Sequence, residues 1–163
     1  MATRDRIRHM PVYLFILLFS ISALAQPAKP GAGPCALLTK AEVSEAAGTP
    51  VSDGVVNSTN KMVCDFKVGE IGSVISVLLT DKAAGDSGEK TVSELKKRKM
   101  TAEVVSGFGD SAYVSSPGYG MQQLGVYKGS KHVIVTVMIM GSPEAKAKAV
   151  AEKTMRKALA RLP

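Results

Sequence analysis

The sequence predicts an α+β fold. It comprises a single antiparallel sheet of about six to seven strands built from two helix-plus-hairpin units, with helices packed mainly on one face and a C-terminal helix. Three observations carry this expectation. Residues 121–140 read as a β-hairpin whose arms, 124–128 and 132–140, flank Gly129-Ser130, and glycine at the first central position is what a type II′ turn requires. Residues 62–69 followed by 74–79 repeat the plan: a short alternating arm, a glycine turn, then a long apolar arm. Helical patterns precede each hairpin and close the chain, and the order α, strands, α, strands, α favours consecutive antiparallel pairing in one sheet.

The N-terminal residues are read as a leader. Arg4, Arg6 and Arg8 precede the apolar run 11–24, and Ala23-Leu24-Ala25 has the small-x-small pattern of a signal-peptidase site. The run is shorter than the ~20 apolar residues a membrane span needs, so 1–25 is expected to be cleaved and no transmembrane segment to follow. The chain is thereby expected to be periplasmic or secreted. Without Arg4, Arg6, Arg8 and Asp5, the 21 basic and 14 acidic residues become 18 and 13, and the formal charge falls from +7 to +5. That excess is compatible with an acidic partner or an anionic surface, and equally with solubility alone.

Residues 26–34 carry three prolines and two glycines and read as a flexible arm. The remainder, 35–163, is one domain, and the 45% apolar content of the 163-residue chain is enough to bury a core. Export makes a Cys35–Cys64 disulfide the default, since these are the only two cysteines. A lipid-modified Cys35 would follow the apolar run directly with a small residue before it, whereas Pro34 precedes it.

Thr39-Lys40-Ala41-Glu42 is a capping box, with Leu38 and Val43 placed as a hydrophobic staple; Gly48 and Pro50 end that helix. A polar connection leads to a strand in which Met62, Cys64, Phe66 and Val68 alternate with Val63, Asp65 and Lys67. The β-rich run 74–79 turns Ile75, Val77 and Leu79 inward. A second helix is expected over 89–100, with Val92, Leu95 and Met100 on one stripe and Lys96 to Lys99 at its C-terminal end. Residues 102–115 hold two short strands broken at Gly107-Phe108-Gly109-Asp110, and Pro117-Gly118 turns into the hairpin. The last helix begins with Ser142 as cap and Pro143 at its first position, and buries Ala147, Val150, Ala151, Thr154, Met155, Ala158, Leu159 and Leu162.

Pro34-Cys35-Ala36-Leu37-Leu38-Thr39, Glu42-Val43, Gly48, Cys64-x-Phe66, Gly107-Phe108-Gly109-Asp110-Ser111-Ala112-Tyr113 and Leu124-x-Val126-x-Lys128-Gly129 form a set of motifs. Together they resemble a family of small exported proteins of unknown function, best known as actinobacterial lipoproteins. The resemblance implies a sheet domain PsbP/Mog1-like in look, with no settled activity and no known active site. This chain departs from the family in lacking a lipobox.

The function classes narrow accordingly. A hydrolase would have to use His132, the single histidine after the leader, with Asp110 and Ser111 as partners; no nucleophile elbow is present, and no catalytic residue is assigned. Gly107-Phe108-Gly109-Asp110 lacks the third glycine and following helix of a dinucleotide fingerprint, and reads first as a turn. Together with Tyr113 and Tyr119 it is the candidate binding loop: Gly107, Phe108, Gly109, Asp110, Tyr113, Tyr119. His132, Met138 and Met140 share a face of one strand and include soft ligands suited to Cu(I), but methionine is commonly core filler and no close M-x-x-M cluster occurs. No metal and no cofactor is therefore expected. Lys153, Arg156, Lys157 and Arg161 form a candidate basic surface for anionic envelope polymers. No aromatic residue is interleaved with them, so nucleic acid is not an expected partner. The leading expectation is a non-enzymatic module binding a protein or small ligand of the cell envelope, across the open side of the sheet or at the loop region 107–120.

Overall fold

The computed structural model describes residues 33–69 and 72–162. The expected leader, and the arm up to residue 32, lie outside the described residues. Among those described, seven strands form one antiparallel sheet: β1 (Val55–Val56), β2 (Val63–Val68), β3 (Ser73–Asp81), β4 (Thr101–Val105), β5 (Ser111–Gly118), β6 (Met121–Lys128) and β7 (Lys131–Met138). Their order across the sheet is β1-β2-β3-β7-β6-β5-β4. Three helices accompany it: α1 (Lys40–Ala47), α2 (Gly88–Lys97) and α3 (Glu144–Leu159). No helix among the described residues is long and apolar enough to cross a membrane.

Both hairpins form, and their long arms meet at the centre, where β3 pairs with β7 from Val74 opposite Met138 to Asp81 opposite Lys131. The β6–β7 turn closes between Lys128 and Lys131, with Gly129 at φ 55 in the left-handed region that a Cβ disfavours.

Strand alternation sends Cys64, Phe66, Ile75, Val77, Leu124, Val126, Val133, Val135 and Val137 to one face, each buried. α3 lies on this face across β6 and β7, contributing Ala147, Val150, Ala151, Met155 and Ala158, and α1 packs beside it through Val43 and Ala47. The three alanines hold the helix close to the valine-rich sheet. Lys128 of β6 donates through Nζ to the carbonyls of Leu159 (3.0 Å) and Leu162 (3.2 Å), satisfying groups at the C-terminal end of α3.

α1 starts as its sequence requires: Thr39 Oγ1 accepts from the Glu42 amide, and the Thr39 amide donates to Glu42 Oε2 at 2.8 Å. Cys35 and Cys64 form a disulfide that ties the short 3₁₀ turn Pro34–Ala36 to β2.

Three local readings change. Ser142 is not the cap of α3. Pro143 occupies that position and its carbonyl accepts from both Lys146 and Ala147, so the first turn is set by backbone rather than by a hydroxyl. α2 stops at Lys97, because Lys99 turns left-handed (φ 60) and the Met100 amide closes back on Leu95 O, leaving Met100 outside the helix. The connection after α1 contains a strand, β1, paired to β2 at Asp65 and Cys64. As expected, the helices lie mainly on one face, and α2 is the exception. The chain leaves β3 in the middle of the sheet and must reach β4 at its edge, and α2 makes that crossing over the opposite face.

Cys35 and Cys64 lie 29 residues apart, so the disulfide removes chain entropy from the unfolded state. Cys35→Ala/Cys64→Ala is expected to lower unfolding free energy by about 3 kcal/mol, read from urea denaturation. An unshifted midpoint would show that the bond is dispensable.

Candidate functional site

The face opposite α1 and α3 is only partly covered. α2, capped by Ser87 Oγ accepting from the Lys90 amide, brings Val92 and Leu95 onto Ala102, Tyr113 and Tyr127 at the β4–β6 end. The pairing register lays the rest of this face out in rows running across the strands. One row is Val63–Leu78–Ile134–Gly125–Tyr113, apolar and half-buried over β2, β3 and β7. Beside it runs a polar row, Asp65–Ser76–Thr136–Gln123–Ser115. Asp65 accepts from Asn57 Nδ2 (2.7 Å) and Ser76 Oγ (2.6 Å), while Gln123 donates to Thr136 Oγ1 (3.1 Å) and accepts from Ser115 Oγ (3.4 Å). Beyond it lies Lys67–Val74–Met138–Met121.

The fourth row, Thr80–His132–Tyr127–Ser111, meets α2 and holds the single histidine of the described residues. The His132 ring stacks on Tyr127 with centroids 4.1 Å apart and planes 13° from parallel, and its Nε2 lies 3.4 Å from Tyr113 Oη. Tyr127 Oη pairs with Thr91 Oγ1 of α2 at 2.8 Å. Burial pushes the His132 pKa down, against the pull of Asp86, and pushes the Tyr113 phenol up. Neutral forms are thus favoured throughout, and the cluster acts as an aromatic clamp between α2 and the sheet. Gly125 is part of it: the Tyr113 ring lies where a Cβ on Gly125 would stand.

Ser111, His132 and Asp110 do not assemble into a catalytic group. Ser111 Oγ accepts from the Gly88 amide at the start of α2 (2.6 Å), and Asp110 Oδ2 accepts from the Gly129 amide (2.7 Å), capping the β6–β7 turn. The candidate loop residues likewise part company. Gly107 and Gly109 bracket Phe108, which is buried on the helix side beneath the Arg156 guanidinium, 4.4 Å from the ring centroid. Tyr113 points to the other face, and Tyr119 sits at the far end of β5, 92% exposed in the β5–β6 turn. A hollow of about 380 Å³ does flank 104–112, but its rim combines Glu89 and Asp110, which is no cradle for an anion.

Of the candidate basic surface, three of four residues bind within the fold. Lys157 pairs with Glu45 (2.8 Å), and Arg156 covers Phe108. Arg161 holds both the Leu37 carbonyl and Glu42 at 2.8 Å. Burial works to raise the Glu42 pKa, but Arg161 and the Thr39 amide and hydroxyl outweigh it and hold the carboxyl below its ordinary range. Lys153 is exposed.

Comparison with family models, curated proteins and solved structures finds no match to this chain.

The rows of the open face were hidden because each polar residue there looks like ordinary strand alternation until the register aligns it with its neighbours. Gly125 gave one signal, a glycine inside an apolar strand, which marks a close approach.

Two outcomes follow from the clamp. Gly125→Ala is expected to cost about 1–3 kcal/mol, and combining it with Tyr113→Ala should cost less than the sum, since removing the ring makes room. Strict additivity would place the ring elsewhere. Because the His132 pKa lies below its ordinary 6.5, its contribution is intact above that value and declines as pH falls from 6.5 through the lower folded value. His132→Gln should abolish that slope in urea midpoints taken across this window; superimposable profiles would contradict it.

Proposed function

We propose that this chain is an exported cell-envelope protein that acts as a non-enzymatic binding module, with the open face of its sheet as the recognition surface. One observation carries the reading: α1 and α3 cover one face, whereas α2 covers only the β4–β6 end of the other. Half-buried Val63, Leu78 and Ile134 are left beside a hydrogen-bonded polar row. An apolar strip next to hydroxyl and amide groups offers a partner both desolvation and direction. The leader pattern and the disulfide support export. The partners already taken by Ser111, Asp110 and Arg161 weigh against the hydrolase and polymer-binding alternatives.

The test is site-specific photo-crosslinking in intact cells, with the photoreactive residue placed at position 78 or 134 and, as controls, at 153 on the outer face of α3. Discrete adducts at 78 and 134 but not 153 are expected. Adducts equally strong at 153, or none at 78 and 134, would remove the open face as the binding surface.

A further inference from the structure

The end of the open face farthest from His132 gathers sulfur. Met121 and Met138 stand directly opposite each other on β6 and β7, and a directly opposed pair in an antiparallel ladder has its Cβ atoms about 4.5–5.5 Å apart. Met140 follows two residues later. Met138 ends β7 on the open face, and Met140 occupies the turn that follows it, in which the Ser142 amide donates to the Ile139 carbonyl. The Met140 amide is held by Ser73 Oγ at 3.0 Å, which fixes the backbone there, while its side chain is 65% exposed. Tyr119, two residues before Met121, is 92% exposed and held in the left-handed region (φ 55), a conformation that costs a tyrosine free energy. Tyr119 and Met140 are thus both presented to solvent, beside half-buried Met121 and Met138.

We propose that Met121, Met138 and Met140 form a three-thioether site for a soft monovalent cation, Cu(I). Thioethers are soft donors that select Cu(I) over harder cations, and the unbranched methionine side chain is flexible enough for three to converge from β6, β7 and the turn after β7. The row holding Met121 and Met138 contains Lys67 but no carboxylate, which disfavours a divalent hard ion. Both cysteines are committed to the disulfide, so no thiol competes for the metal. Among the described residues no three His, Cys, Asp or Glu side chains come together as an alternative centre. Neutral thioethers release no proton on binding, so affinity is independent of pH, unlike that of an imidazole or thiol site. The site needs only these three positions and is independent of any macromolecular partner.

The experiment is anaerobic titration of the oxidised protein with Cu(I) in competition with a chromogenic Cu(I) chelator. One Cu(I) per chain is expected, with affinity flat between about pH 5 and pH 8, the range over which imidazole titrates. Met138→Leu should weaken binding on the order of tenfold or more, a scale that outer-shell changes alone reach at metal sites. Met121→Leu/Met138→Leu/Met140→Leu should abolish it, while Met62→Leu leaves it unchanged. Leucine keeps apolar volume, and an unaltered circular dichroism spectrum verifies the fold of each variant. No competition with the chelator, undiminished binding by the folded triple variant, or affinity that tracks imidazole titration and is lost in His132→Gln would each overturn the proposal.

Discussion

The pairing of β3 with β7 is the constraint on which the rest of the structure depends. It joins the two hairpin units, and from it Ile75, Val77, Val133, Val135 and Val137 reach the helix-covered face with no residual exposure. A slip of one residue would turn that entire set to the open face, so burial itself specifies the register. Asp81 and Lys131 close the end of the ladder with a 2.6 Å ion pair, but as exposed partners they add little beside the buried valines. The pairing spans residues far apart in sequence, so loop-closure entropy must be met before these contacts stabilise anything.

Placing β7 beside β3 pushes β4 to the far edge, and the route of α2 follows. A chain leaving the sheet centre for its edge has to cross one face, and α1 and α3 occupy the other. The crossing helix is short and amphipathic, and its apolar side packs on Ala102, Tyr113 and Tyr127 at the β4–β6 end. The first hairpin unit therefore has no helical cover on this side. Its half-buried apolar row and hydrogen-bonded polar row are products of the topology. The aromatic clamp at His132 marks the boundary between the covered and uncovered regions, held together by stacking and by neutral hydrogen-bonding groups rather than by charge.

Much of the fold was legible in local pattern. The capping box at Thr39, the strand alternation around Cys64 and Phe66, the glycine turn at Gly129 and the alanine-rich stripe of α3 each state their geometry within a few residues. The candidate site was not legible in this way. Phe108 and Tyr113 are near in sequence, yet strand parity and the break between β4 and β5 send them to opposite faces. Arg156, Lys157 and Arg161 read as a solvated basic face, but their partners Phe108, Glu45, Glu42 and Leu37 belong to distant segments that only packing brings near.

The sequence by itself determined every element but the short β1 and the 3₁₀ turn, their two-unit order and which side of most strands is buried, because hydrophobic periodicity and turn chemistry act over a few residues. The tertiary structure alone decided that α2 crosses the opposite face, and that Asp65 and Ser76 of the first hairpin align with Thr136 and Gln123 of the second in one row. Those relations depend on strand order and register, which arise from burying many residues at once and leave no trace in any one segment.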